Sequence, residues 1–248
     1  MCYRIVVSGR ASGPHHGGRR RTTHGVIDDT LTLQGRLVTL RPISREDYPA
    51  LFRWRSSFET VHYLNFRRRI ATFEEFVRDL ETMLAGGGMM LIIHSRRGRA
   101  DERTNGLAGQ GGRPIGYALA HVVNAWDGWM AGGVHVEERY RLRGPGGEAS
   151  LLWVDFLFRT YPIRKLLTEI YEFADKTLQM AHSMGFEQQG FIPDHFWWQD
   201  RRWGVHHMAL TRESWNAKRE RFADIIDVQR QFDQLTAAPS VDGVKAGG

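Results

Sequence analysis

The stretch RYRLRGPGGEASLLWVDFLF, residues 139–158, limits the possible folds most. Glu148, Asp155 and Arg159 lie seven and four residues apart and form one thin polar stripe. Every other side of the helix they belong to carries Leu151, Leu152, Trp153, Val154, Phe156, Leu157 or Phe158. A helix apolar on most sides is a buried helix, so the fold has to be built around it. Gly144, Pro145, Gly146 and Gly147 make the turn that feeds it. Glycine-rich turns of this kind bind phosphate in some folds and only redirect the chain in others.

The surrounding segments supply the layer that covers the helix. LVTLRPI (37–43) alternates apolar and polar residues and reads as a strand. MMLIIHS (89–95), PIGYALAHVV (114–123), GWMAGGVHV (128–136), RKLLTEIY (164–171) and VHHMALT (205–211) read as five more. Ser44 with Asp47, and Thr72 with Glu75, have capping-box spacing and open two helices. DKTLQMAHSM (175–184) is a short helix closed by Gly185. Residues 96–113 are polar, glycine-rich and aperiodic, a loose hairpin connection. ESWNAKRERFADIIDVQRQFDQL (213–235) reads as a terminal helix with a stripe of Phe222, Ile225, Val228, Phe232 and Leu235. That stripe packs either on the domain or on a second subunit as a homodimer.

Charge and cysteine content narrow the function. The net charge is +6, but Arg4, Arg10, Arg19, Arg20 and Arg21 stand in an acid-free start, and the remainder carries only +1. The basic character therefore belongs to a tail, and a nucleic-acid partner is not expected. Residues 1–25 and 237–248 are expected to be disordered, with a domain over 30–212 and a helix over 213–236 between them. The arginine-rich start reads as a flexible extension or as a transit peptide. No run of about 18 apolar residues is present, so no membrane span is expected. The single cysteine, Cys2, excludes an internal disulfide and fits a reducing, cytoplasmic setting. His206, His207 and Asp200 suggest a metal site only weakly, because adjacent strand residues point to opposite faces; no metal is expected.

Two phosphate-binding motifs fail on the glycine loop. A dinucleotide fingerprint needs Gly-x-Gly-x-x-Gly early in the chain, and a P-loop needs a terminal Gly-Lys-Ser/Thr. Arg141-x-x-Gly144-x-Gly146, directly after VHVEERY, instead resembles the Arg/Gln-x-x-Gly-x-Gly/Ala signature of the Gcn5-related N-acetyltransferases, the GNAT superfamily. GRLVTLRPISREDYPALFRW, LFRTYPIRKLLTEIYEFA with the later MGFEQQGF, and RRWGVHHMALTRESW resemble its RimJ/RimL-type branch. The likeness runs in order from about residue 34 to 215.

The resemblance implies an α/β fold. Its central sheet would be mixed, mostly antiparallel and splayed between the fourth and fifth strands, with helices on both faces and an extra C-terminal helix. It implies acetyl-CoA as co-substrate, a primary amine on a small molecule, protein or peptide as acceptor, and direct attack without a covalent enzyme intermediate. The backbone of Val134 and Val136 would meet the acyl and pantetheine arm. Arg141, Leu142, Arg143, Gly144, Gly146 and Gly147 would hold the pyrophosphate, and Thr177 would protonate the leaving thiolate.

The sequence departs from the family pattern in four places. Pro145 lacks an N–H; losing one charge-assisted hydrogen bond costs roughly 1.5–3 kcal/mol, so weakened coenzyme binding is expected. Ala174 replaces the usual Asn and Gly204 a frequent Asp. Ala131 stands where a Glu base is common, which leaves His135 as the nearest titratable group on that strand. An imidazole with a pKa of about 6.5 suits a base, although alternation sets it opposite Val134 and Val136. His135 is thus a candidate base or else a packed or solvent-facing side chain. Without an evident base a low-pKa acceptor is favoured, an α-amine, amino sugar or aromatic amine: deprotonation at pH 7 costs roughly 4.6 kcal/mol for a lysine amine and about 1 kcal/mol for an α-amine. Trp126, Trp129, Trp197 and Trp198 fall on loops beside the expected acceptor side, as pocket lining or as core. A catalytically degenerate relative, holding coenzyme A or working as a protein-interaction module, stays open as the alternative.

Overall fold

The computed structural model describes residues 31–57, 71–96, 112–141 and 144–227. The expected basic extension, the FRRRI run at 66–70, most of the 96–113 connection, Leu142, Arg143, the stripe residues Val228, Phe232 and Leu235, and the 237–248 tail lie outside them. The described residues form one eight-stranded sheet in the order β1-β2-β3-β4-β5-β6-β8-β7. The strands are β1 (Leu33–Gln34), β2 (Val38–Pro42), β3 (Met89–Ser95), β4 (Pro114–Asn124), β5 (Trp129–Val136), β6 (Lys165–Tyr171), β7 (Glu187–Trp198) and β8 (Arg201–Thr211). All neighbours are antiparallel except β5 and β6.

Helices cover both faces. On one lie α1 (Tyr48–Ser56) and α2 (Phe73–Ala85). Thr72 accepts from the Glu75 amide at 3.2 Å while Glu75 accepts from the Thr72 amide at 3.0 Å, the reciprocal cap its spacing foretells. At Ser44 the short 3-10 turn Arg45–Asp47 precedes α1, and the Asp47 carboxylate takes the Ser44 amide at 2.8 Å and both guanidinium arms of Arg41. A short helical turn, α3 (Glu138–Arg141), follows β5. The buried helix is α4 (Pro145–Thr160), and it lies with α5 (Asp175–Met184) on the other face. Gly185 ends α5 at φ +103°, a left-handed cap that glycine adopts without a Cβ penalty.

The polar stripe on α4 does not face water. Glu148 and Asp155 are only 6% and 5% exposed. Glu148 accepts from the Leu37 amide at 2.8 Å and fastens the start of β2 to the helix. Asp155 binds Arg219 and Trp215 of the chain end. That chain end is α6 (Arg212–Arg219), a 3-10 turn over Glu220–Phe222, and α7 (Ala223–Ile226), so the predicted terminal helix is interrupted. Trp215 and Ile226, with Phe222 and Ile225, pack into the same core as α4, which assigns this part of the stripe to the domain itself.

Two strands escape the sequence reading. β1 is only two residues long. β7 pairs with β8 alone, at the sheet edge, and its register breaks between Gln188 and Gly190 and between Ile192 and Phe196. Those breaks, with Pro193, erase the alternation that marks a strand. As a result Trp197 and Trp198 belong to β7 and Trp129 to β5, not to loops.

Candidate functional site

The site forms where β5 and β6 part. The parallel ladder holds for three pairs, Trp129 with Lys165, Met130 with Leu166 and Ala131 with Leu167, and then stops. From Gly132 onward β5 is paired with β4 only, and from Thr168 onward β6 is paired with β8 only. Two strand edges therefore face one another across a gap. Edge amides and carbonyls can pair with an extended arm that carries amides of its own. Val134 and Val136 lie on this edge, with their side chains in the core beneath α4.

The glycine turn closes one end of that gap. Gly144 is the N-cap of α4 at φ +93°, and Pro145 occupies its first turn. The Glu148 amide already donates to the Gly144 carbonyl at 3.0 Å. The amides of Gly146 and Gly147 fall in the first turn, where a helix has no carbonyls to offer them, and the helix dipole adds to their pull on an anion. Pro145 sits where its missing N–H would have been one of those orphans. A Cβ on Gly146 would stand 3.1 Å from Val136 Cγ2, so the helix start is seated directly on the end of β5. One on Gly147 would meet Met180 Sδ of α5 at 3.7 Å. The donor set and the bare backbone fit a pyrophosphate. Arg141 is drawn to the same corner, its Nε donating to the Val136 carbonyl at 3.1 Å. Leu142 and Arg143 are outside the described residues.

Thr177 lies on α5, exposed, three residues before Met180 and thus on the same side of the helix. Its amide donates to Ala174 at 2.9 Å, and Ala174 makes no side-chain cap. Contacts join Val136, Arg141 and the Gly144–Gly147 turn at one corner, with Val134 further along the same strand edge and Thr177 one helical turn from the Met180 that meets Gly147.

His135 stands apart from that group. It is 9% exposed and lies against the Tyr117 ring at 5.2 Å, on the α1 and α2 side of the sheet. Burial, with the Arg141 charge second, lowers its pKa from 6.5 to about 4. The unfolded chain binds a proton at 6.5 and the folded chain only near 4. Stability from this residue is complete above the upper value and is lost as pH falls through the window, by about 3 kcal/mol in total. Denaturant unfolding at pH 7 and pH 4.5 is expected to show this loss in the wild type and to show it removed in His135→Phe.

The sequence reading missed a second polar group on that side. Glu169 of β6 is registered against His207 of β8, with Oε1 3.5 Å from His207 Nδ1. His206, one residue away, turns to the opposite face, where Nδ1 meets Gln188 Oε1 at 2.7 Å. Tyr171, two residues on along the same face of β6, packs with Phe196 and Trp198 in an aromatic cluster. The available signal was a lone carboxylate inside the apolar strand KLLTEIY.

Residues 37–187 match the family described as acetyltransferase (GNAT) domain. Among solved structures, a spermidine N-acetyltransferase from Vibrio cholerae in complex with CoA and spermine is similar at a TM-score of 0.61 and 13% identity, over 73% of this chain and 98% of that one. An acetyltransferase of the GNAT family from Bacillus anthracis matches at 0.55 and 11%, over 74% and 99%. No curated protein matches the chain.

Proposed function

Because the chain belongs to the GNAT acetyltransferase family and is an acetyltransferase, we propose that it moves an acetyl group from acetyl-CoA to a primary amine by direct attack. The observation that carries this is the junction of two features. The orphan amides of Gly146 and Gly147 end in the same gap that the free edges of β5 and β6 enclose. The pyrophosphate would sit on the first turn of α4, and the arm that links it to the thioester would run along Gly132–Val136. The acceptor nitrogen would approach from the α1 and α2 side and attack the carbonyl carbon. The carbon–sulfur bond then breaks, and the thiolate takes a proton from the Thr177 hydroxyl or from water. Holding both reactants in one gap supplies much of the rate. Membership of the RimJ/RimL-type branch is part of the same proposal and rests on the flanking segments quoted above.

The test is thiol release from acetyl-CoA with four amines: spermidine, phenethylamine, glucosamine and a peptide with a free α-amine. Calorimetric titration of acetyl-CoA accompanies it. Micromolar binding with turnover of at least one amine is expected. Binding without turnover would favour a coenzyme-holding module, to which Pro145, Ala131 and Ala174 point, and no binding at millimolar concentration would end the acyl-transfer reading and leave a protein-interaction module.

A further inference from the structure

The sequence has no carboxylate at Ala131, the position on β5 where one would serve as base. The structure offers one across the gap. Glu169 lies two residues past Leu167, the last β6 residue paired with β5, so it stands where the strands have begun to part. On β8, His207 flanks it at 3.5 Å, and both side chains are 40% exposed. The His207 Nε2 atom is buried without a hydrogen-bond partner, so this ring is held by its Glu169 side.

A third group reaches the cluster from β4. Ala120 pairs with Gly132 and Val122 with Ala131, which leaves His121 as the extra residue of a β-bulge opposite the last rung before the gap. Bulges re-aim side chains, and here the bulged residue is within electrostatic reach of Glu169 and of Arg55 on α1. Burial lowers the His121 pKa, the Glu169 charge opposes that shift, and the Arg55 charge adds to it. Three strands and a helix thus contribute a titratable or charged side chain here: His121 from β4, Glu169 from β6, His207 from β8 and Arg55 from α1.

We propose that Glu169, seated between His207 and His121 at the mouth of the β5–β6 gap, is the catalytic carboxylate that receives the acceptor amine and takes its proton. This rests on the acyl-transfer reading above. A protonated amine entering from the α1 and α2 side meets a carboxylate and donates a charge-assisted hydrogen bond to it. The Glu169 carboxylate takes one proton from the ammonium, and the freed lone pair then forms the bond to the carbonyl carbon. The carbon–sulfur bond breaks, its electron pair leaves with sulfur, and the second surplus proton of the nitrogen passes to the thiolate. The proton passes from Glu169 to water, and the carboxylate is regenerated. The substrate class follows: with a carboxylate present, the acceptor need not be a low-pKa amine, and cationic alkyl amines are admitted.

The test compares the wild type with Glu169→Gln, which keeps the shape and removes the base. In the four-amine assay, kcat falls by about 10²–10⁴-fold and the amine KM rises with the lost charge-assisted hydrogen bond, while acetyl-CoA affinity stays within about threefold and the pH dependence of kcat changes. By NMR, the His121 imidazole titrates at lower pH in the variant, because the opposing Glu169 charge is gone. Equal kcat in the two proteins, a change in KM alone, or an unmoved His121 titration would each overturn the assignment. Acetyl-CoA calorimetry separates the two ideas. If both proteins bind acetyl-CoA and transfer equally, only the Glu169 role falls; if neither binds it, or no amine is acetylated by the wild type, the acyl-transfer reading fails and takes the role with it.

Discussion

In the Gly147→Glu variant, acetyl-CoA affinity falls by about 100-fold or more while the fold is retained. The reasoning is local. Gly147 lies inside the first turn of α4 in helical conformation, and the nearest atom to an added Cβ is Met180 Sδ at 3.7 Å, an ordinary contact. Glutamate is a better helix former than glycine by roughly 0.5–1 kcal/mol and its charge is favoured at a helix start. The substitution therefore does not strain the chain. It does set a carboxylate among the amides proposed to hold the pyrophosphate, where it competes for donors and repels the incoming charge. Two lost charge-assisted hydrogen bonds, at about 1.5 kcal/mol or more each, account for the 100-fold figure. Gly144 is the less decisive position. Its φ of +93° and the 3.0 Å approach of Leu37 Cδ1 strain any replacement, so lost binding there could reflect lost folding. Calorimetry with acetyl-CoA and a thermal melt of Gly147→Glu together check the expectation. Unchanged affinity would remove the cofactor from this loop.

Asp155→Ala is expected to destabilise the protein by about 3 kcal/mol, with the loss concentrated in the chain end. Asp155 is 5% exposed in the middle of α4. Its carboxylate accepts from Arg219 Nε at 2.7 Å and from Trp215 Nε1 at 3.3 Å, and Arg159 lies 3.5 Å away. Removing it leaves the Arg219 guanidinium with Asp227 alone, at 2.7 Å, and orphans the buried indole N–H. Trp215, 1% exposed, and Phe222 stack at 6.0 Å over the same helix, so the loosened contacts include apolar ones. A double-mutant cycle with Arg219→Met measures the coupling. A cost below about 1 kcal/mol for Asp155→Ala would mean that packing alone holds α6 and α7 in place.

The contrast between Asp155 and Glu169 shows what sequence can and cannot carry. In the sequence both are lone acids among apolar residues. Asp155 falls on a helix stripe with Glu148, and from the sequence the stripe is no more than a thin polar line on a buried helix. In the structure it is the seam through which α4 holds the start of β2 and the chain end, because partners 110 residues upstream for Glu148 and 64 downstream for Asp155 complete it. Glu169 shows no periodic sign of function. Its neighbours His207 and His121 become neighbours only through the β6–β8 register and the bulge in β4.

By itself the sequence determined the local and contiguous features. Capping residues, the glycine C-cap, the alternation of six strands and the buried helix after a glycine turn are set by side chains within a few residues of one another. The Arg141–Gly146 spacing pointed to the family for the same reason, since an anion-binding helix start is built from consecutive amides. Only the tertiary structure decided that His135 is buried against Tyr117, that the chain end closes on its own domain, and that a carboxylate on β6 lies just past the rung where β5 offers alanine. Each of these depends on register and on contacts between distant segments, and a one-residue change in register turns every side chain of a strand to the other face.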